Sequence, residues 1–182
     1  MKVKGGIDKF YNYGFPIQAV LITCKDRNDD FNVFTVAWHT PVSRYPPLFG
    51  IFVSKKRYSR DLIEESGEFV VNFMPFDLVE KVDFCGTHSG EDTDKLKETG
   101  LTVEKGEIET PYIKESTACF ECKIFDHTRI GDHSFFVGKI KNVLFEESLF
   151  EGNILDVDQV SPCYYLGGGI YTKISDIKKA FD

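Results

Sequence analysis

Short runs rich in Val, Ile, Phe and Thr, each bounded by Gly, Pro, Asn or Asp, recur along the chain and read as strands. Residues 17–24 (IQAVLITC) form the first of them, with a turn expected at Arg27-Asn28-Asp29-Asp30. In residues 33–39 (VFTVAWH) alternation sets Phe34, Val36 and Trp38 on one face and Thr35, Ala37 and His39 on the other. One face is core and the other is available to a ligand. A loop carrying Pro41, Pro46 and Pro47 leads into an almost continuous apolar strand over residues 48–54, and residues 68–74 (EFVVNFM) repeat that pattern.

Between those two strands the spacing predicts a short helix, with Ser59 as N-cap, Tyr58 and Ile63 at the positions of a hydrophobic staple, and Gly67 as the stop. A second helix is expected over residues 77–84 and a third over 91–99, ended by Gly100. The remainder reads as a long hairpin, residues 118–126 and 134–145 about a turn at Gly131-Asp132, followed by a last strand over 164–174. Many strands at short intervals with few helices predict a mainly β protein whose antiparallel sheet closes into a barrel, since closure removes exposed edges. No repeat, low-complexity stretch or linker divides the chain, so residues 1–182 are expected to form one domain.

The net charge of −7 argues against a nucleic-acid partner, because neutralising phosphates requires an excess of clustered Lys and Arg. Any anion site must therefore be local. No apolar run approaches the roughly 20 residues of a membrane helix, and residues 1–25 hold no uninterrupted signal-like core, so the expectation is a cytoplasmic protein without a membrane partner. Five cysteines, an odd number without a secreted-type spacing, fit reduced thiols and no disulfide.

Within this acidic chain, Ser54-Lys55-Lys56-Arg57-Tyr58-Ser59 places three cations, two serine hydroxyls and the Tyr58 phenol at the start of a helix. Free amides, the positive end of the helix dipole and charge-assisted hydrogen bonds would together hold a phosphate, although the same residues also suit a solvated basic turn. Cys85-Gly86-Thr87-His88-Ser89-Gly90 is a Gly-bounded stretch expected as a loop, with Lys95 shortly after it, where small residues allow close backbone approach or simply connect two helices. His133, at the hairpin tip, is a candidate hydrogen-bond donor to a cofactor, or a solvated turn residue.

Other signals point away from chemistry. The Asp126-His127 and Asp132-His133 pairs lack a further ligand set, and no metal is expected. Cys119-Phe120-Glu121-Cys122 has a CxxC spacing but lies in a strand pattern, where residues three apart face opposite ways. Gly167-Gly168-Gly169 reads as a bulge or barrel corner rather than a phosphate loop.

Taken together, these segments resemble the flavin reductase-like, FMN-binding split-barrel family, which includes flavoredoxin, ferric reductase and the reductase components of two-component monooxygenases. The likeness begins at Asn32-Val33-Phe34-Thr35-Val36-Ala37-Trp38 and passes through Lys56-Arg57-Tyr58-Ser59-Arg60-Asp61-Leu62-Ile63 and Gly67-Glu68-Phe69-Val70-Val71-Asn72. It continues over residues 85–90 with Asp94-Lys95, Ala118-Cys119-Phe120-Glu121-Cys122-Lys123 and Gly131-Asp132-His133, and closes at Tyr165-Leu166-Gly167-Gly168 and Tyr171.

The resemblance implies an antiparallel Greek-key split β-barrel with a few short peripheral helices, acting as a homodimer around FMN. It implies that Asn32, Thr35, Ala37 and Trp38 meet the cofactor, the last three lining the isoalloxazine largely through backbone groups. Ser54, Lys55, Arg57, Tyr58 and Ser59 would hold the phosphate, and Asn72, Cys85, Gly86, Ser89 and Lys95 would finish the pocket. His133, as the catalytic residue, would stand near N5 or the nicotinamide. The implied activity is NADH- or NADPH-dependent reduction of flavin or of a downstream acceptor such as ferric iron or a redox protein. A flavoredoxin-type electron carrier is the alternative. Two positions depart from the family pattern: Ala37, where many members carry Ser, and His39 after the Trp.

Overall fold

The computed structural model describes residues 1–25 and 30–177. The turn expected at Arg27-Asn28-Asp29-Asp30 lies, apart from Asp30, outside the described residues. The strands are β1 (Ile17–Gln18), β2 (Val20–Lys25), β3 (Phe31–Val36), β4 (His39–Ser43), β5 (Leu48–Ser54), β6 (Glu68–Phe73), β7 (Val103–Glu104) and β8 (Tyr112–Ile113). They continue with β9 (Ala118–Ile130), β10 (His133–Phe145), β11 (Phe150–Glu151), β12 (Ile154–Leu155), β13 (Tyr164–Gly167) and β14 (Ile170–Thr172). Three α-helices interrupt them: α1 (Tyr58–Ser66), α2 (Val79–Thr87) and α3 (Lys95–Thr99).

Seven strands make one antiparallel sheet in the order β3-β2-β6-β9-β10-β5-β4. Its two edge strands, β3 and β4, are joined in the chain by Ala37 and Trp38 alone, so the sheet has to curl until its edges nearly meet. The expected closure is incomplete: β3 and β4 do not pair, and the barrel is split along that seam. The physical reason lies in the chain reversal at Ala37-Trp38, which ends the β3 ladder at Val36 and starts a new pairing, His39 with Ile51, on the far edge.

Strand β2 is buried on both faces, which explains its unbroken apolar run. Val20 and Ile22 point into the barrel with Phe34, Val36, Ile51, Phe69 and Phe136, where Leu62 and Ile63 of α1 join them. Leu21 and Val33 point outward into a second cluster with Val82 and Cys85 of α2, Leu101, Ile113 and Cys163. Cys119 and Cys122 fall in different clusters, as opposite strand faces require, and all five cysteines are buried, none of them in a disulfide.

Several sequence-based boundaries shift for identifiable reasons. Pro41 belongs to edge strand β4 rather than to a loop, because an edge strand can accept a residue without an N–H. The N-cap of α1 is Arg57, not Ser59, whose hydroxyl is taken by Asn32; the staple predicted from the Ser59 cap therefore has no cap to flank. Gly67 does end α1, left-handed at φ 72°, and Gly100 ends α3 in the same way. The second helix starts as a 3₁₀ turn at Phe76–Leu78 and runs on to Thr87, which makes Cys85, Gly86 and Thr87 helical instead of a loop. α3 begins only at Lys95, because Asp94 caps it by accepting from Lys97 N (3.0 Å). The last strand is a hairpin, with Gly167, Gly168 and Gly169 at positive φ between β13 and β14 and a bulge at Gly167.

Candidate flavin site

The seam beside the end of β3 opens into two adjoining hollows. One, of about 190 Å³, is lined by Thr35, Ala37, Trp38, Ser54, Arg57 and His133 among others. The second, of about 260 Å³, is lined by Thr35, Ala37, Arg57, Gly86 and Thr87, with Asp83, Tyr165, Gly169 and Tyr171 on its outer side. Thr35, Ala37 and Arg57 belong to both, so the hollows form one groove over the end of β3.

The chain builds this groove by close approach of α2 to β3. Thr35 Oγ1 donates to the Val82 carbonyl, and a Cβ added at Gly86 would stand 3.1 Å from Thr35 Cβ. Beside it, Asn32 Nδ2 donates to Ser59 Oγ at 2.9 Å and fixes β3 to the first turn of α1. That helix opens without a side-chain cap, so its positive end is left toward the groove. The Ser54-to-Arg57 turn is tied to the tip of the β9–β10 hairpin, since Lys55 N donates to the Asp132 carbonyl (3.0 Å).

Lys95 is nearly fully buried, and its ammonium donates to the carbonyls of Cys85 (3.3 Å) and His88 (3.4 Å). Its pKa is lowered to about 8, mainly by burial, with the charge of Arg57 acting in the same direction. Among the described residues neither cation has a carboxylate partner in an ion pair. Two close, unneutralised cations beside an uncapped helix end in a protein of net charge −7 suit an anionic ligand.

At the other end Trp38 and His133 stack, ring centroids 4.9 Å apart at 23°, and Tyr11 meets Trp38 edge-on at 5.9 Å. His133 Nδ1 lies 2.7 Å from Asp132 Oδ1. A carboxylate only accepts, so Nδ1 carries the proton and Nε2 is left as an acceptor when the ring is neutral. The Asp132 carboxyl is held below the ordinary range by that hydrogen bond.

Thus Thr35, Ala37, Trp38, Ser54, Arg57, Gly86 and His133 share the groove, while Asn32, Ser59 and Lys95 support it from behind. Lys55 is exposed on the connecting turn, and Tyr58 packs against the barrel core. Ser89 Oγ accepts from Glu91 N, a local turn contact. Cys85 is not brought to the groove: its thiol points into the outer core, where burial pushes its pKa to about 11, and its carbonyl accepts from Lys95.

Asn72 is not brought to the site. Fully buried, it donates to the Leu21 and Val70 carbonyls and accepts from Ile113 N (2.7 Å), pinning β8 against β6. Sequence reading missed Asp83 and Thr87, whose i,i+4 spacing on α2 was the available signal, and passed over Tyr165 and Tyr171 as pocket residues. Asp126 and His127 are mid-strand in β9, with His127 stacked on Phe136 at 4.5 Å. No helix among the described residues is long and apolar enough to cross a membrane.

The sequence profile of the family described as "Flavin reductase like domain" matches residues 12–172. An uncharacterised protein of Archaeoglobus fulgidus is 36% identical over 141 residues, 77% of this chain and 78% of that one. Among solved structures, the flavoredoxin of Methanosarcina acetivorans superposes with a TM-score of 0.88 at 30% identity, covering 99% of this chain and 95% of that one. The flavoredoxin of Desulfovibrio vulgaris (Miyazaki F) gives 0.88 at 27%, covering 100% and 98%. An FMN-binding protein of Thermus thermophilus, with bound 1-cyclohex-2-enone, gives 0.83 at 26%, covering 99% and 98%.

Proposed function

Because the chain belongs to the flavin reductase-like family, we propose that it binds FMN in the β3 groove and works as an oxidoreductase. The observation that carries this reading is Arg57, without an ion-pair partner among the described residues, lining a groove walled by the stacked Trp38 and His133, with the buried ammonium of Lys95 behind it. A ligand with a phosphate at one end and a planar ring system at the other matches both.

Bound FMN would supply two-electron redox chemistry between NADH or NADPH and an acceptor such as free flavin, ferric iron or a redox protein. The chain's own residues bind, orient and shield it. Arg57, Lys95 and the α1 terminus fix the phosphate, assisted by Ser54, Ser59 and the Lys55 turn. Backbone groups at Thr35, Ala37 and Trp38 meet the polar edge of the ring; Ala37, lacking the hydroxyl of Ser, leaves that task to the backbone. His133, oriented by Asp132 and by stacking on Trp38, offers Nε2 to the reacting face. The exposed apolar residues Ile7, Phe10, Phe145 and Ile154 support assembly as a homodimer.

A second reading is an electron carrier without nicotinamide oxidation of its own; the likeness to two flavoredoxins favours it. One preparation tests both. The purified protein should show absorption bands near about 370 and 450 nm and release FMN on denaturation. Steady oxidation of NADH or NADPH with free FMN or FAD as acceptor is the expected result for the enzyme. A flavin-bound protein inert in that assay is a carrier, and a protein that holds no flavin overturns the proposal.

A further inference from the structure

The N-terminal stretch leaves an apolar stripe uncovered. Residues Ile7–Gly14 form a 3₁₀ segment, opened at Lys9, in which no residue is buried. Three residues make one 3₁₀ turn, so Ile7, Phe10 and Tyr13 fall in one row, and they are 85%, 65% and 70% exposed. Other side chains of this stretch look inward: Tyr11 meets Trp38 edge-on, and Phe15, just beyond the segment, packs on Tyr165. The hydrogen bonds of a 3₁₀ helix are poorly aligned and runs beyond about four residues are uncommon, so this segment relies on what its side chains touch.

A hollow of the complementary kind lies at the open end of the β9–β10 hairpin, away from its His133 tip. Its volume is about 590 Å³, larger than either part of the groove, and its walls include Phe73, Phe120, Phe145, Phe150, Ile154 and Tyr164. None of the described residues that line it is charged. Gln18, four residues after the 3₁₀ segment ends, lines it too, so stripe and hollow belong to neighbouring stretches of surface. The stripe does not fill the hollow of its own chain: its side chains are exposed, and the contacts of Tyr11 and Phe15 hold the segment against the groove side.

Two copies of a chain of net charge −7 repel one another, so a contact between them has to use uncharged surface. A knob and a hole side by side on one chain suit a two-fold axis, which brings each knob to the other copy's hole. Apolar anchors three residues apart on a helix, entering an apolar groove, are a recurrent mode of recognition. We infer that two copies of the chain associate by seating the Ile7-Phe10-Tyr13 stripe of each in the Phe145-Ile154 hollow of the other. The inference rests on the homodimer proposed above, to which it gives a contact surface, and on nothing about the ligand of the groove.

Sedimentation velocity on the purified full chain tests it. The wild type should sediment at twice the 20.8 kDa of one chain. Phe10→Glu and Ile154→Glu put a charge on either side of the contact, at positions exposed in the single chain. Each should leave the circular dichroism spectrum unchanged and raise the dimer dissociation constant about a hundredfold or more, the size of a lost interface anchor. The double variant Phe10→Cys/Ile154→Cys should form a disulfide-linked dimer on mild oxidation, in higher yield than either single variant, because all five native cysteines are buried. A dimer that either charged variant keeps, or a cross-link no stronger than in the single variants, overturns the inference and leaves the homodimer to another face. A monomeric wild type overturns the homodimer reading as well, a different result.

Discussion

Asn32 Nδ2 donates to Ser59 Oγ at 2.9 Å, and both residues are buried, so the strand that carries Thr35 is fixed to the first turn of the helix whose open end faces the phosphate region. Removing either partner leaves the other buried and unsatisfied, at a cost of about 1–3 kcal/mol. Asn32→Ala and Ser59→Ala should each lower the unfolding free energy by that order, and the double variant should lose much less than their sum. Urea denaturation of the four proteins measures the coupling. Simple additivity would show that the two side chains act separately.

Arg57 is exposed, has no ion-pair partner among the described residues, and lines both hollows. Its charge should act on a phosphate and hardly at all on a neutral flavin. Arg57→Ala is expected to weaken FMN about 10- to 100-fold, the range for a charge-assisted contact, and riboflavin less than about threefold. Fluorescence titration with the two ligands decides it. Equal losses would mean that Arg57 is not the phosphate anchor.

His39, the residue after Trp38, is held on β4 by its neighbours. Its Nε2 lies 2.9 Å from the Gln18 carbonyl and its ring stacks on Phe49 at 5.6 Å and 25°. A carbonyl only accepts, so Nε2 carries the proton. Burial lowers the pKa below its ordinary 6.5, and the bond to Gln18 opposes that shift only in part. The unfolded chain therefore takes up the proton first as pH falls. Stability is full above about pH 6.5 and declines as pH drops through the window between the two values. His39→Gln, which can still donate to Gln18, should flatten that decline, measured as the urea midpoint between about pH 5 and pH 7.5. An unchanged acid slope would place the sensitive group elsewhere.

The parts of this fold that were legible in the sequence are those set by local alternation and by glycine. Residues 48–54 and 68–74 read as strands because consecutive apolar residues were bounded by Pro and Gly, the second ending in fact at Phe73, and Gly67 and Gly100 marked helix ends that are left-handed in fact. What escaped was set by contacts distant in sequence. Ser59 looks like a cap until Asn32, 27 residues away, claims its hydroxyl. Asn72 looks like a pocket residue until Ile113 N, 41 residues on, is found bonded to it. Asp83 carries no motif, and its place on the groove wall emerges only when β14 brings Tyr171, 88 residues on, into hydrogen-bond contact with it. Closure failed as an expectation because the two-residue connection at Ala37-Trp38, invisible to periodicity, opens the seam that becomes the groove.

Lys95 gives the prediction with the most distinctive sign. In the cofactor-free protein its ammonium is buried against two carbonyls, near Arg57 and the thiols of Cys85 and Cys24, with a pKa lowered from 10.5 to about 8 mainly by desolvation. Below pH 8 the folded protein bears the cost of that buried charge. Between about 8 and 10.5 the unfolded chain binds a proton that the folded one does not, so Lys95 makes stability rise with pH across that window. FMN binding should run the other way. Its phosphate stays dianionic above about pH 6 and needs the ammonium, so affinity should fall as pH rises through about 8. Lys95→Met removes the charge and keeps the hydrophobic stem. Near pH 7 it should stabilise the cofactor-free protein, weaken FMN about tenfold or more, leave riboflavin little changed, and abolish the alkaline loss of FMN affinity. Thermal unfolding without ligand and FMN titration at several pH values give the two readouts. A variant that loses stability and FMN affinity together would show Lys95 to be a packing residue rather than a cation held in place for the phosphate.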